Sequence, residues 1–329
     1  MNTRQPARDN VVEAVLAACR ADPVLASPRE HRVVIAFSGG PDSSTLLHAL
    51  VRARRRLRLD LLAVHVDHGL RPGAAEEALA AGAFAAELGI PLEVARVKPR
   101  GGSEDAARRA RHAGLEAVAA RVGAGTVALG HTFDDQAETV LLHLLRGSGL
   151  EGLAAMAVRE DLRFRPLLAV RRSQVDAYCA RHRLAPLRDP SNEDPVFLRN
   201  RVRHELLPLL ERRFNPRASE ALVRLALAAG EEHAVVVAAA AGWLESNSAP
   251  YPRPAFLALP PAVRVEVLRR AWAAAAGLER PPGDAAKLRQ AMRMLERGGR
   301  GMIQLGRGFE LVVDANAFAI RPHNPLTEG

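Results

Sequence analysis

Between residues 32 and 145, short apolar runs alternate with longer segments of helical period. RVVIAF (32–37), DLLAVHV (60–66), PLEVARV (91–97) and GTVALGH (125–131) are short, partly β-branched and bounded by turn residues. That pattern predicts buried parallel strands. The segments 42–55, 74–88 and 104–122 between them predict helices, and 133–145 predicts another after the fourth strand. Ser103 is placed to cap the third, with Glu104 and Asp105 in its first turn, where the helix dipole favours acids. The fold class is α/β, a doubly wound parallel sheet whose ligands sit at the carboxyl ends of the strands.

From residue 163 the pattern loosens. RFRPLL (163–168) reads as a short strand and 171–182 as a helix; LRDPSNEDPVFLRNRVR (187–203) is turn-rich and runs into another helix. Phe214-Asn215-Pro216 punctuates the chain, so the expected domains are 1–215 and 216–329. The second, smaller domain is mainly helical, over 217–245, 261–276 and 284–297. Its last segment, GMIQLGRGFELVVDANAFAIRP (301–322), has turn residues between apolar runs and predicts a small antiparallel sheet. Apolar faces such as VRLALAAG and VLRRAWAAA suggest a bundle, with Arg217, Arg224, Arg269 and Arg270 outermost. The N-terminus reads as an amphipathic helix rather than a signal peptide, and no stretch has the roughly 20 apolar residues that span a bilayer. A cytoplasmic protein with no membrane partner is expected.

Composition adds two constraints. A net charge of +9 favours an anionic partner such as nucleic acid, although only Lys98 and Lys287 of the 46 basic residues are lysine. Such an arginine bias also follows from coding composition. The dense run Arg52, Arg54, Arg55, Arg56, Arg58 sits where a helix ends, and a solvated face complementing the dipole accounts for it. The two cysteines, Cys19 and Cys179, are far apart and form neither a disulfide framework nor a metal motif. Cys179 falls on an amphipathic helix and reads as a small buried hydrophobe.

The chemistry starts at Ser38-Gly39-Gly40-Pro41-Asp42-Ser43-Ser44, between the first strand and its helix. The glycines permit close backbone approach and positive φ, and Pro41 suits a first helical turn. Free N–H groups and the hydroxyls of Ser38, Ser43 and Ser44 are expected to face an anion, aided by the dipole. Ser, Asp and Pro would also serve simple capping; the βαβ context favours phosphate. Asp42 would repel that phosphate unless a Mg²⁺ lies between them. The turn fits neither G-x-x-x-x-G-K-[ST] nor G-x-G-x-x-G. It resembles the SGGxDS signature of the PP-loop ATP pyrophosphatases, which cleave ATP between its α and β phosphates. The resemblance implies a loop that holds leaving pyrophosphate, with no need of a lysine reaching the γ-phosphate.

Further motifs narrow the superfamily. They are His65-Val66-Asp67-His68-Gly69-Leu70-Arg71, Ala106-Ala107-Arg108-Arg109-Ala110-Arg111, and Gly130-His131-Thr132-Phe133-Asp134-Asp135-Gln136-Ala137-Glu138-Thr139. Arg146-Gly147-Ser148-Gly149-Leu150, Asp189-Pro190-Ser191-Asn192 and Arg199-Asn200-Arg201-Val202-Arg203-His204 follow. This ordered set, spread over 33–204, resembles the tRNA(Ile)-lysidine synthetase family. The resemblance implies ATP-dependent adenylation of the C2 carbonyl of the wobble cytidine in a CAU anticodon, then attack by the ε-amine of free L-lysine. It implies ATP, Mg²⁺, L-lysine and tRNA(Ile) as partners, and it allows a homodimer.

Residue by residue, Asp135 and Glu138 are i, i+3 and share a helical face, where two carboxylates suit a cationic amine and one can take its proton. An acidic helix N-terminus stabilised by its own dipole would have the same composition. By resemblance the pair binds lysine, with Asp134 and Asp42 nearer the metal and phosphates. Arg108 and Arg111 also share a face; the ATP phosphates, the cytidine and tRNA phosphates are all candidate contacts. His65, Gly130 and His131, at strand ends, are candidates to flank the nucleotide, although a lone His65 is more often a packed strand residue. Arg146, Arg199, Asn200, Arg201 and Arg203 are candidates for tRNA; the alternation in 199–203 suggests an ordered basic edge that positions tRNA or orders the catalytic loop. His112 and Phe197 stand where the family usually has Tyr. Two other readings are a tRNA-thiolating relative, which needs a sulfur-carrying cysteine, and a nucleotide-binding regulator without turnover, which needs neither Asp42 nor the Asp135/Glu138 pair.

Overall fold

The computed structural model describes residues 10–67, 73–99, 101, 104–187, 197–278 and 281–323. Ser103, His68-Gly69-Leu70-Arg71 and Asp189-Pro190-Ser191-Asn192 lie outside them. The chain forms two compact units, 1–227 and 228–329.

The first unit is built on strands β1 (His31–Ala36), β2 (Leu59–Asp67), β3 (Leu92–Arg96), β4 (Thr126–Ala128), β5 (Arg159–Glu160) and β6 (Arg163–Phe164), ordered β3-β2-β1-β4-β6-β5. All neighbours are parallel except the β5–β6 hairpin. The RFRPLL strand is cut to two residues; Pro166, which has no N–H to give a ladder, stands two residues beyond its end. One sheet face is covered by α1 (Asn10–Ala21), α2 (Pro41–Leu57), α3 (Ala74–Glu87) and α7 (Arg172–His182). Leu46, Leu50, Ile35 and Tyr178 are fully buried there. The other face is covered by α4 (Glu104–Val122) through Leu115, Val118 and Ala119. Two crossovers on one face and the next on the other reverse the strand order between β1 and β4, and such a switch point opens a ligand crevice.

After β4 come α5 (Phe133–Leu145) and the short α6 (Leu150–Leu153). The segment expected as a basic edge is instead helical: α8 (Leu198–Arg201), a π-helical turn over Val202–Leu206, and α9 (Leu207–Arg213). Helical spacing puts Arg199 and Arg203 on one face and turns Arg201 away. Phe214-Asn215-Pro216 ends α9 as expected, but the units divide twelve residues later, within α10 (Ala218–Ser246). The first turns of α10 belong to the first unit because Leu222 and Val223 pack with Leu141, Leu142 and Leu207.

The second unit holds the rest of α10, α11 (Arg253–Leu257), α12 (Pro261–Ala275) and α13 (Ala285–Arg297). Its antiparallel sheet is β7 (Tyr251–Pro252), β8 (Gly301–Gly306), β9 (Phe309–Val313) and β10 (Ala317–Pro322), ordered β7-β10-β9-β8. Trp272, Phe256 and Phe318 centre its core. Arg217 and Arg224 are exposed as expected. Arg269 and Arg270 are not free outer positions, because both guanidiniums turn onto the buried Glu266. Among the described residues no helix is long and apolar enough to cross a membrane.

Candidate active site

The glycine turn leaves β1 and enters α2 at the switch point. Gly39 has φ +83°, and a Cβ there would lie 2.6 Å from Leu187 Cδ1. Leu187 N–H donates to Gly39 O at 2.8 Å, so the chain after α7 closes over the turn. Gly40 is the N-cap of α2 without a side-chain cap, and Pro41 occupies the first turn, which leaves first-turn N–H groups for an anion. The hydroxyls depart from expectation. Ser44 is fully buried and donates to Gly39 O at 3.1 Å, and Ser43 donates to Gly40 O at 3.0 Å. They brace the turn from inside instead of facing outward. Ser38 is exposed, with its Oγ 3.2 Å from Ser43 Oγ.

Asp42 has one carboxylate oxygen, Oδ1, buried without a hydrogen-bond partner. Burial, and next the charge of Asp135, pushes its carboxyl up to about 6. A buried oxygen held this way suits a cation. Among the described residues no three acidic, His or Cys groups gather into a ready-made metal cage.

The end of β4 meets this turn at Gly130. A Cβ on Gly130 would stand 3.2 Å from the Asp42 carbonyl carbon and oxygen, so glycine is what lets the two strand ends close up. His131 follows, its Nδ1 buried without a partner, and burial holds its ring neutral with a pKa lowered to about 3. His65 is buried on β2 and its Nδ1–H donates to Phe37 O at 3.1 Å, which makes it a packing residue between strands.

Thr132 caps α5 in a capping box: its N–H donates to Asp135 Oδ2 at 2.8 Å. Asp135 serves the cap with Oδ2 and presents Oδ1 to cations. Those cations are the chain's own. Asp135 Oδ1 accepts from Arg199, Arg203 and Arg172 at 3.1, 3.2 and 3.3 Å. Glu138, 1 % exposed, accepts from Arg203 Nε at 2.6 Å and Arg199 Nε at 3.0 Å, with Arg172 Nη1 at 3.5 Å. Burial alone would raise the Asp135 carboxyl, but Arg199 and then Arg172 outweigh it and hold the group at about 2. Asp134 turns aside, its Oδ2 accepting the Arg172 backbone N–H at 2.7 Å.

Arg108 and Arg111 are exposed on α4, and Asn200 is buried on α8. Burial, then Arg111, Arg163 and Arg108, lowers His112 to about 4, so it is a neutral ring beside a cationic group. Arg146 and Arg201 are exposed, Arg201 lying 4.0 Å from Glu205. Arg172 is the site residue that sequence reasoning passed over. Its signal was an arginine in the first turn of a helix, where the dipole disfavours cations.

A model of the PP-loop domain matches residues 14–210. The tRNA(Ile)-lysidine synthase of Salinispora tropica is 41% identical over 280 residues, 82% of this chain and 84% of that protein. That of Thermobifida fusca is 48% identical over 202 residues, 60% of this chain, and the match spans 62% of its length, under two thirds. In fold, the chain is similar to the U34-tRNA thiolase NcsA from Methanococcus maripaludis, with TM-score 0.55 and 20% identity. That match covers 66% of this chain and 77% of NcsA.

Proposed function

The chain belongs to the tRNA(Ile)-lysidine synthase family, built on a PP-loop domain, and from that membership we propose the reaction it carries out. ATP adenylates the C2 carbonyl oxygen of the wobble cytidine in a CAU-anticodon tRNA(Ile), releasing pyrophosphate. The ε-amine of free L-lysine then attacks C2, and the C2–O bond breaks as AMP leaves. The observation that carries this reading is the pairing, at neighbouring strand ends, of an anion-ready glycine turn with a buried carboxylate pair.

The glycine turn holds the departing pyrophosphate through first-turn N–H groups and the exposed Ser38 hydroxyl. Asp42, with its unpartnered buried oxygen, fits a Mg²⁺, which when bound neutralises phosphate charge. Asp134, tied to the start of α7, is a weaker candidate for that ion. Asp135 and Glu138 bind the lysine ammonium, which displaces part of the Arg199 and Arg203 contacts while Arg172 stays in place. Asp135, ionised far below neutral pH, orients the amine and is a poor proton acceptor. The proton the amine must lose before attack is assigned to Glu138. Arg199 and Arg203 face these carboxylates, which supports ordering of the catalytic segment over direct contact with RNA phosphate. Arg108, Arg111, Arg146 and Arg201, all exposed, are the candidates for the nucleotide and the tRNA backbone. The thiolating alternative lacks a fitting group: both cysteines are buried, and burial raises both thiols.

The test is incubation with Mg-ATP, labelled lysine and a CAU-anticodon tRNA(Ile) transcript. Label in RNA with AMP and pyrophosphate released is expected. ATP binding without transfer would support a regulator, and transfer only with a sulfur donor a thiolase.

A further inference from the structure

We propose that Arg172 is a positioning residue that holds Asp134, Asp135 and Glu138 as one fixed acidic face, at a set distance from the glycine turn. The proposal rests on the reading of Asp135 and Glu138 as the amine site.

Arg172 touches all three acids from a single position. Its backbone N–H donates to Asp134 Oδ2 at 2.7 Å, and its guanidinium reaches Asp135 Oδ1 at 3.3 Å and Glu138 Oε1 at 3.5 Å. It stands in the first turn of α7, a place where a cation is unfavourable by itself, so the acids opposite must compensate. Arg199 and Arg203 make shorter contacts to the same carboxylates but come from α8 and the π-helical turn. Arg172 comes from a helix locked to the nucleotide side of the site.

That lock lies further along α7. Cys179 Sγ is 3.3 Å from Thr45 Oγ1 and donates to Pro41 O at 3.8 Å, while Tyr178 OH is 2.7 Å from His48 Nδ1. Pro41, Thr45 and His48 all belong to α2, the helix that opens at the glycine turn. One helix thus grips the pyrophosphate helix in its middle and the amine-site helix at its start. Positioning of this kind converts two binding sites into one reaction geometry, and small displacements are costly.

The charged and titratable groups facing the pair are Arg172 from α7, Arg199 and Arg203 from the segment after it, His131 before α5, and Asp42 across the turn. Replacing Arg172 leaves the other four in place, so its contribution is separable.

The experiment compares Arg172→Gln, Arg172→Lys and Glu138→Gln in the full chain with Mg-ATP and tRNA(Ile) transcript. Arg172→Gln is expected to raise KM for lysine about tenfold or more while the Kd for ATP stays within about twofold. Arg172→Lys should restore only part of KM, since an ammonium keeps the charge without the fork. A fall in kcat with lysine KM unmoved would mark a merely structural residue and overturn the proposal. If Arg172→Gln does not fold, an unaltered lysine KM in Arg172→Lys overturns it equally. Glu138→Gln with normal lysine KM would remove the amine site and the proposal together, whereas a raised KM in Glu138→Gln alone removes only the role of Arg172.

Discussion

Arg203 reaches Glu138 across 65 residues of sequence, donating through Nε to Oε1 at 2.6 Å and through Nη2 to Oε2 at 3.0 Å. The fork closes on a carboxylate that is 1 % exposed, and the guanidinium that completes it is three-quarters buried. Removing Glu138 leaves Arg203 and Arg199 only Asp135 Oδ1 as a partner, and breaking a buried pair from one side costs up to about 3–5 kcal/mol. Glu138→Ala is therefore expected to lose that much in urea unfolding and to lose lysine transfer, while ATP binding survives. Normal use of lysine by this variant would refute the amine-site assignment.

Gly130 carries a steric prediction. The Cβ of Gly130→Ala would press on the Asp42 carbonyl at 3.2 Å and on Ser43 N at 3.3 Å, both backbone atoms of the glycine turn. Overpacking of this size costs about 1–3 kcal/mol. The strain falls on the turn, so ATP affinity measured by calorimetry should drop several-fold in a protein that remains folded. Unchanged affinity would show that the turn does not hold the nucleotide.

Asp42 predicts a pH dependence of stability. Its carboxyl lies at about 6 in the folded protein, against an ordinary value of 3.8. Between those values only the folded state holds the proton, so the stability this group contributes is lost as pH rises through 6. His131, lowered to about 3, works in the opposite sense, because below its ordinary value the unfolded chain takes up a proton that the folded one does not. Asp42→Asn removes only the first effect. Without added metal it should be more stable than the natural sequence at pH 7, by on the order of 2 kcal/mol, and nearly equal at pH 4. Urea melts at the two pH values check this, and an equal difference at both would mean that Asp42 is solvated.

The helices and central strands were legible because period and turn residues agree there; 104–122 and 133–145 coincide with α4 and α5. β6 was read within RFRPLL but too long, and its hairpin partner β5 was not read, since two-residue strands have no period. Arg199, Arg201 and Arg203 looked like the edge of an extended segment because alternation by two and a helical i, i+4 pair both include 199 and 203. Only the position of Glu138 decides which face they use. Ser43 and Ser44 misled for a related reason: a hydroxyl at a phosphate turn can donate outward or back to the turn's own carbonyls, and composition is the same for both.

The cysteines separate the chemistries by reagent. Cys19 is fully buried, its thiol pushed up to about 12 by burial, and Cys179 is enclosed between α2 and α7. Neither should react with a thiol-specific probe in the native protein, and both should after unfolding. Cys179→Ala is expected to keep lysine transfer. Loss of transfer, with the fold intact by circular dichroism, would reopen sulfur chemistry.

β1 and β4 are adjacent in the sheet, with Val33 opposite Thr126 and Ile35 opposite Ala128. The glycine turn leaves one and the carboxylate helix follows the other, so their starting points are separated by one rung of a backbone ladder, about 4.8 Å. The strand spacing is set by amide geometry, while Gly130 keeps the two strand ends close and Arg172 holds the acids that face across it. The gap between the two reacting halves is thus a gauge built into the scaffold: surface loops can vary in length and sequence and still inherit the same reach.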